Sequence, residues 1–289
     1  MASILYSSHC ILGEAPVWHQ ERESCFWADI ETGILYEYVF KNKDVNIFQP
    51  GHKVSLIIPS GKEELILGMQ GGVARYRLSD GHLSWISQLD TDWTSFRCND
   101  GGADIHGRIW VSTTELDHKP GAGSIFCLDR ESGLRTQVTD ISIPNGIVWS
   151  PDNRKIYYTD SVKNEVYALD TDPLTGNIIS RDTVIQIPDE KGLPDGMAVD
   201  SEGFIWIALW NGYGLGRFSP ENGKMNDFIA IPAPNVTSCC FVGSDLNQLV
   251  ITTARKGMSA EMLAMYPESG NIFITETKIK GIPTYKASI

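Results

Sequence analysis

Two tripeptides, Pro144-Asn145-Gly146 and Pro194-Asp195-Gly196, head two similar stretches, PNGIVWSPDNRKIYYTD and PDGMAVDSEGFIWIALW. GEAPVWHQERESCFWADI from Gly13 and CNDGGADIHGRIWVSTT from Cys98 follow the same pattern. Each opens on a side chain that can donate oxygen: Glu14, Asn99, Asn145 or Asp195. Carboxylates and amides brought together suit a hard divalent cation, Ca2+, Mn2+ or Mg2+, and less typically Fe2+ or Zn2+. Without a cation, converging carboxylates repel one another and at least one must hold a proton. A structural reading competes, because Asn-Gly and Asp-Gly are common turn dipeptides. Glu14 in GEAP weighs against it, since a turn has no need of Glu there.

These residues are far apart in the chain, so their chemistry depends on a fold that gathers them. Helical periodicity is nearly absent. Short runs rich in β-branched and aromatic residues dominate, among them SCFWADI, GILYEYVF, ELILGM, GVARYRL, KIYYTD and QLVITTA. Gly, Asp, Asn and Pro bound them, the signature of strands joined by turns. EMLAMY, residues 261–266, is the one candidate helical turn. Two weaker copies of the repeat, VSLIIPSGKEELILGM from Val54 and NVTSCCFVGSDLNQLVITT from Asn235, bring the number to six. Successive starts lie about 40 to 50 residues apart, the period of a propeller blade. The expected fold is all-β, a six-bladed β-propeller of four-stranded blades spanning 1–289 as a single domain. A sandwich of eight to ten strands would leave this periodicity unexplained. In a propeller the first strand of each blade lines the central channel. Glu14, Asn99, Asn145 and Asp195 would then form a ring of oxygen donors at one mouth.

Composition narrows the partners. The 289 residues carry 24 Lys and Arg against 36 Asp and Glu, a net charge of -12. Nucleic acid and anionic membrane both require a basic face and are not expected. The N-terminal sequence has no basic n-region and no apolar run of membrane-spanning length, so a cytoplasmic protein is expected. Six cysteines without a CxxC fit reduced thiols there. Other catalytic patterns are missing: there is no HExxH and no GxSxG. GYGLG at 212–216 does not match GxGxxG and opens no helix.

GEAPVW at 13–18, RCND at 97–100, PNG at 144–146 and PDG at 194–196 together resemble the regucalcin/gluconolactonase (senescence-marker-protein) family of sugar lactonases. ALWNGYGLGRFSP from Ala208 and TTARKGMS from Thr252 are most similar to its bacterial members. The resemblance implies hydrolysis of an aldonolactone, a small-molecule sugar lactone, to its sugar acid. It also implies one divalent metal ion, with Ca2+ placed first, held by Glu14, Asn145 and Asp195. That ion would act as Lewis acid, with Asp195 as general base. Arg97 and Asn99 would contact the substrate. The family's acidic hydroxyl reader falls in VSTTELDHKPGAG, where Ser112 and Thr114 depart from the usual pattern, so either Glu115 or Asp117 could fill the role. A monomer or small homo-oligomer is expected. Two alternatives stay open, a calcium-binding protein without activity and a metal-dependent propeller esterase or phosphotriesterase.

Overall fold

The computed structural model of the chain describes residues 2–89, 91–172 and 174–289. Its strands form six four-stranded antiparallel sheets in a ring, a six-bladed β-propeller. The inner strands are Gly13–His19, Val54–Gly61, Phe96–Ala103, Pro144–Trp149, Leu193–Val199 and Val236–Val242, in blades one to six. Each repeat start read from the sequence falls within or next to one of them. PNG and PDG therefore lie in strands, and the reading of both as simple turns is set aside.

The ring closes through the N-terminus. Blade six takes Val236–Val242, Gln248–Thr253 and Ile272–Glu276 in order, and Ser3–Tyr6 adds its outermost strand. Ser3 pairs with Ile274 and Ile4 with Phe273, antiparallel. The apolar core lies between neighbouring sheets. Phe26 and Leu35 of blade one, for example, pack against Leu65 and Leu67 of blade two, all fully buried. This is why the middle strands are continuously hydrophobic: both of their faces are covered. EMLAMY contributes a short helix, Ala260–Met265, capped by the Ser259 hydroxyl accepting the Met262 N–H at 3.2 Å. Among the described residues no helix is long and apolar enough to cross a membrane. All six cysteines are free, buried thiols.

The C-terminal segment closes one end of the channel. Ile282 N–H bonds Val199 O at 3.3 Å, Ala287 N–H bonds Pro59 O at 2.9 Å and Ser288 N–H bonds Gly107 O at 2.9 Å. Ile282–Tyr285 and the inner strands enclose a cavity of about 160 Å³. The other end, where the inner strands begin, is the mouth.

One device recurs at that mouth. Glu14 faces Ala28 and Val17 faces Phe26, so three steps along the inner strand match two along its partner. The same extra residue occurs between Cys98 and Gly101, Asn145 and Val148, and Pro194 and Met197. Blades two and six carry one at Val54–Leu56 and Val236–Ser238. A bulge breaks strand alternation and re-aims the neighbouring side chain. Here it frees the residue at the strand head from the face dictated by the pleat.

Candidate active site

The bulges bring the predicted residues together. Asn99 Nδ2 donates to Asn145 Oδ1 at 2.6 Å and to Pro144 O at 2.8 Å, linking blade three to blade four. Asn145 Nδ2 donates to Ser161 Oγ at 3.0 Å, which fixes the amide's orientation. Arg97 Nη1 donates to Asn99 Oδ1 at 2.5 Å and to Cys98 O at 3.0 Å. Glu14 Oε2 accepts its neighbour's Ala15 N–H at 3.3 Å. Ala15 itself has φ of 53°, a left-handed conformation that costs a non-glycine residue energy. Strain of this kind concentrates at functional sites.

Charge is the dominant feature. Glu14 is pushed well above the usual carboxyl range, first by desolvation and then by the charges of Asp195 and Asp100. Asp195, 8% exposed, is also raised well above it, by desolvation and by Asp100, with Arg97 and the Gly196 N–H pulling the other way. Arg97 is lowered from its ordinary value by desolvation, against the attraction of Glu14, Glu31 and Asp195. Acidic side chains held together in a poorly solvated recess, with one guanidinium beside them, form an unbalanced negative site.

Asp100 was not singled out in the sequence. Its carboxylate accepts Gly101 N–H at 2.5 Å and Gly146 N–H at 2.6 Å, and burial lifts its pKa to about 6. It thus ties the inner strand of blade three to the PNG segment of blade four. Ser112, where the sequence departs from the family pattern, also serves this junction. Its hydroxyl accepts Asp100 N–H at 3.0 Å and lies 3.2 Å from Pro144 O. The signal for Asp100 was its place in RCND, but only the bulge shows that two successive side chains, Asn99 and Asp100, both reach blade four.

Glu115 ends the strand Ile109–Glu115, paired with Phe96, and Asp117 lies on the loop that follows. Glu115 Oε2 accepts the N–H groups of Asp117 at 2.9 Å and Lys119 at 3.0 Å, capping its own turn, and Asp117 is exposed. No hydrogen bond joins either to Arg97 or Asn99. His118, the residue after Asp117, is lowered by desolvation and by Arg97 and Lys256, which places this loop near the mouth.

The glycines after Asn145 and Asp195 have separate physical reasons. Gly146 has φ of 59°, and an added Cβ would lie 2.6 Å from Met197 Cγ and 2.9 Å from Asp195 O. Gly196 lies where a Cβ would meet Ser238 Oγ at 2.1 Å. Gly146→Ala is expected to destabilise the protein by about 1 to 3 kcal/mol, through a strained φ and overpacking against blade five. Urea unfolding would read this as a lower midpoint at unchanged slope; an unchanged midpoint would remove the close-approach explanation.

The residues fit a divalent cation. Glu14 and Asp195 offer carboxylate oxygens and Asn145 an amide oxygen, a hard all-oxygen set whose repulsion a cation would relieve. Among the described residues no three His, Cys, Asp or Glu side chains form a metal-holding group.

Residues 12–255 match the family model described as the SMP-30/Gluconolactonase/LRE-like region. The chain belongs to this family. It is 32% identical to regucalcin of Danio rerio over 287 residues, covering 95% of this chain and 94% of that protein. It is 30% identical to the "Putative sugar lactone lactonase YvrE" of Bacillus subtilis (strain 168) over 274 residues, covering 95% and 94%. Among solved structures, a calcium-binding protein, regucalcin, from Agrobacterium tumefaciens superposes with a TM-score of 0.96 at 24% identity, covering 100% of this chain and 98% of the other. That similarity extends over the complete ring, blade-six closure included.

Proposed function

We propose that this protein hydrolyses a sugar lactone to its sugar acid at the channel mouth, with a divalent cation held by Glu14, Asn145 and Asp195. The observation that carries the reading is the placement of Glu14 and Asp195, both raised by burial and by neighbouring carboxylates, beside Arg97 and Asn99. Membership of a family that includes YvrE supports it. Ca2+ is favoured because the Agrobacterium neighbour is a calcium-binding protein. When bound, the cation would polarise the lactone carbonyl and stabilise negative charge on its oxygen.

The chain's own groups do the rest. Asp195 takes the proton of the attacking water on a carboxylate oxygen, while the Gly196 N–H holds that carboxylate in place. Arg97 offers a planar set of donors to ring or carbonyl oxygens. Asn99, already fixed by Pro144 O and Asn145, orients a hydroxyl. Such a polar mouth suits a polyol better than the apolar groups of an aryl ester or phosphotriester. A purely cation-binding role has no use for a guanidinium beside the ligands.

Assay against a panel of aldonolactones, aryl esters and phosphotriesters tests the substrate class. Turnover of lactones alone is expected, and turnover of none would leave a binding protein. Arg97→Ala and Asn99→Ala are expected to raise KM or lower kcat/KM by about 10-fold or more, the scale of lost hydrogen bonds to a bound polar group. Calorimetric cation affinity should change much less, because neither residue is a proposed ligand. A loss of cation binding equal to the loss of activity would move Asn99 into the ligand set.

A further inference from the structure

Outside the proposed cation site, the mouth carries a cluster of basic side chains, although the chain is strongly acidic. Glu31, in the hairpin loop of blade one, accepts Lys53 Nζ on Oε2 and Lys256 Nζ on Oε1, both at 2.5 Å. The three come from different places: Lys53 precedes the inner strand of blade two, and Lys256 follows Gln248–Thr253 of blade six. Two ammonium groups on one carboxylate leave a positive charge. Their side chains are 39% and 44% exposed against 23% for Glu31, so the cations, not the carboxylate, face water. Arg255 lies beside Lys256. Its guanidinium contacts Ser269 O at 2.8 Å and His9 Nδ1 at 2.9 Å, and no carboxylate pairs with it among the described residues. Glu31 is also within electrostatic reach of Arg97, which connects this rim to the floor of the site. Beside the triad, Thr32, Ile34, Gln49, His52 and Gln70 line an open crevice.

We propose that this rim recognises a negative charge on the substrate: the lactone turned over carries an anionic group, carboxylate or phosphate, remote from its ring ester, and Lys53 and Lys256 receive it. The inference rests on the lactonase reading and sharpens it from sugar lactones in general to anionic ones. A neutral lactone needs no such rim. An anionic one is steered towards it, and exposed ammoniums still have hydrogen-bond donors free for phosphate or carboxylate oxygens. The reaction class supplying such a substrate is oxidation at C1 of a sugar that already bears an acid group or phosphate ester.

The test compares kcat/KM for a neutral hexonolactone, the same lactone with a terminal carboxylate, and the same lactone with a terminal phosphate. An anionic form is expected to be preferred by about five-fold or more at low salt, the scale of two exposed ion pairs, and the preference should shrink as ionic strength rises. In Lys53→Gln/Lys256→Gln the ratio of charged to neutral kcat/KM should fall towards one, and Lys53→Arg/Lys256→Arg should keep most of it. Whichever anion shows the larger ratio identifies the source of the charge. Equal or greater use of the neutral lactone by the wild type would overturn the proposal. So would a double Gln variant that melts earlier but retains the ratio, which would make the triad an inter-blade clamp. If no lactone is turned over, the lactonase reading fails, and calorimetry still decides the rim: a hexose diacid or phosphorylated sugar acid should bind the wild type more tightly than the simple sugar acid, and the double Gln variant without that difference.

Discussion

Asp195→Asn is expected to lower lactone turnover by about 100-fold or more at saturating cation, because an amide cannot accept the water's proton. The substitution is isosteric and keeps an oxygen that can face a cation, so excess cation should refill the site without restoring the rate. Stability should move in the opposite direction. Asp195 is raised by desolvation and by Asp100, and Asn removes a charge that the fold holds at a cost. The cation-free variant should therefore melt higher than the cation-free wild type near neutral pH, a trade of stability for function common at active sites. Wild-type turnover at saturating cation would leave Asp195 a ligand only. A lower melting temperature would mean that its carboxylate is satisfied without a cation.

The second large effect is a pH dependence of stability that the cation reverses. Glu14, Asp100 and Asp195 all have folded-state pKa values above their unfolded ones. The folded protein therefore holds protons that the unfolded chain has released. Their contribution is fully present below the unfolded carboxyl range and is lost as pH rises through the folded values, from 3.8 to about 6 for Asp100. His19 and His118 work against this, since both are lowered, chiefly by desolvation, and lose stability as pH falls. Glu14→Gln/Asp195→Asn isolates the carboxyl part. In the presence of chelator, the wild type should lose melting temperature relative to this variant as pH rises through the window. Excess divalent cation should raise the wild-type melting temperature most at the upper end, where the ligands carry no protons. A difference between the two proteins that does not change with pH would show that the carboxylates are not strained by one another.

How much of this was legible in the sequence follows from where each strand lies. The hydrophobic runs, such as SCFWADI, GILYEYVF and QLVITTA, are second and third strands of the blades, largely covered on both faces and so largely apolar. The inner strands showed through the repeat. The outermost strands, such as Asp44–Phe48 and Met225–Ala230, were not legible, because they lie largely in solvent and lack a buried face to impose alternation. The pairing of Ser3–Tyr6 with Ile272–Glu276 spans nearly the whole chain, and no local pattern encodes it. At the site, Glu14, Asn99, Asn145 and Asp195 were legible because repeat-equivalent positions meet around the axis. Asp100 was not, because period-two reasoning puts consecutive residues on opposite faces and the bulge breaks that rule. Ser112 looked like a departure from the family pattern, and its hydroxyl proves to satisfy the bulged backbone at Asp100.

The most direct measurement is lactone hydrolysis by exhaustively metal-stripped protein, followed as acid release above the spontaneous rate while a divalent cation is titrated in. The expected result is no enzymatic turnover before addition, then a rise that saturates at one cation per chain, with Glu14→Gln requiring more cation to reach its plateau. Full turnover by the stripped protein, unchanged by added cation, would contradict the proposed role of Glu14, Asn145 and Asp195 as a cation site that serves hydrolysis.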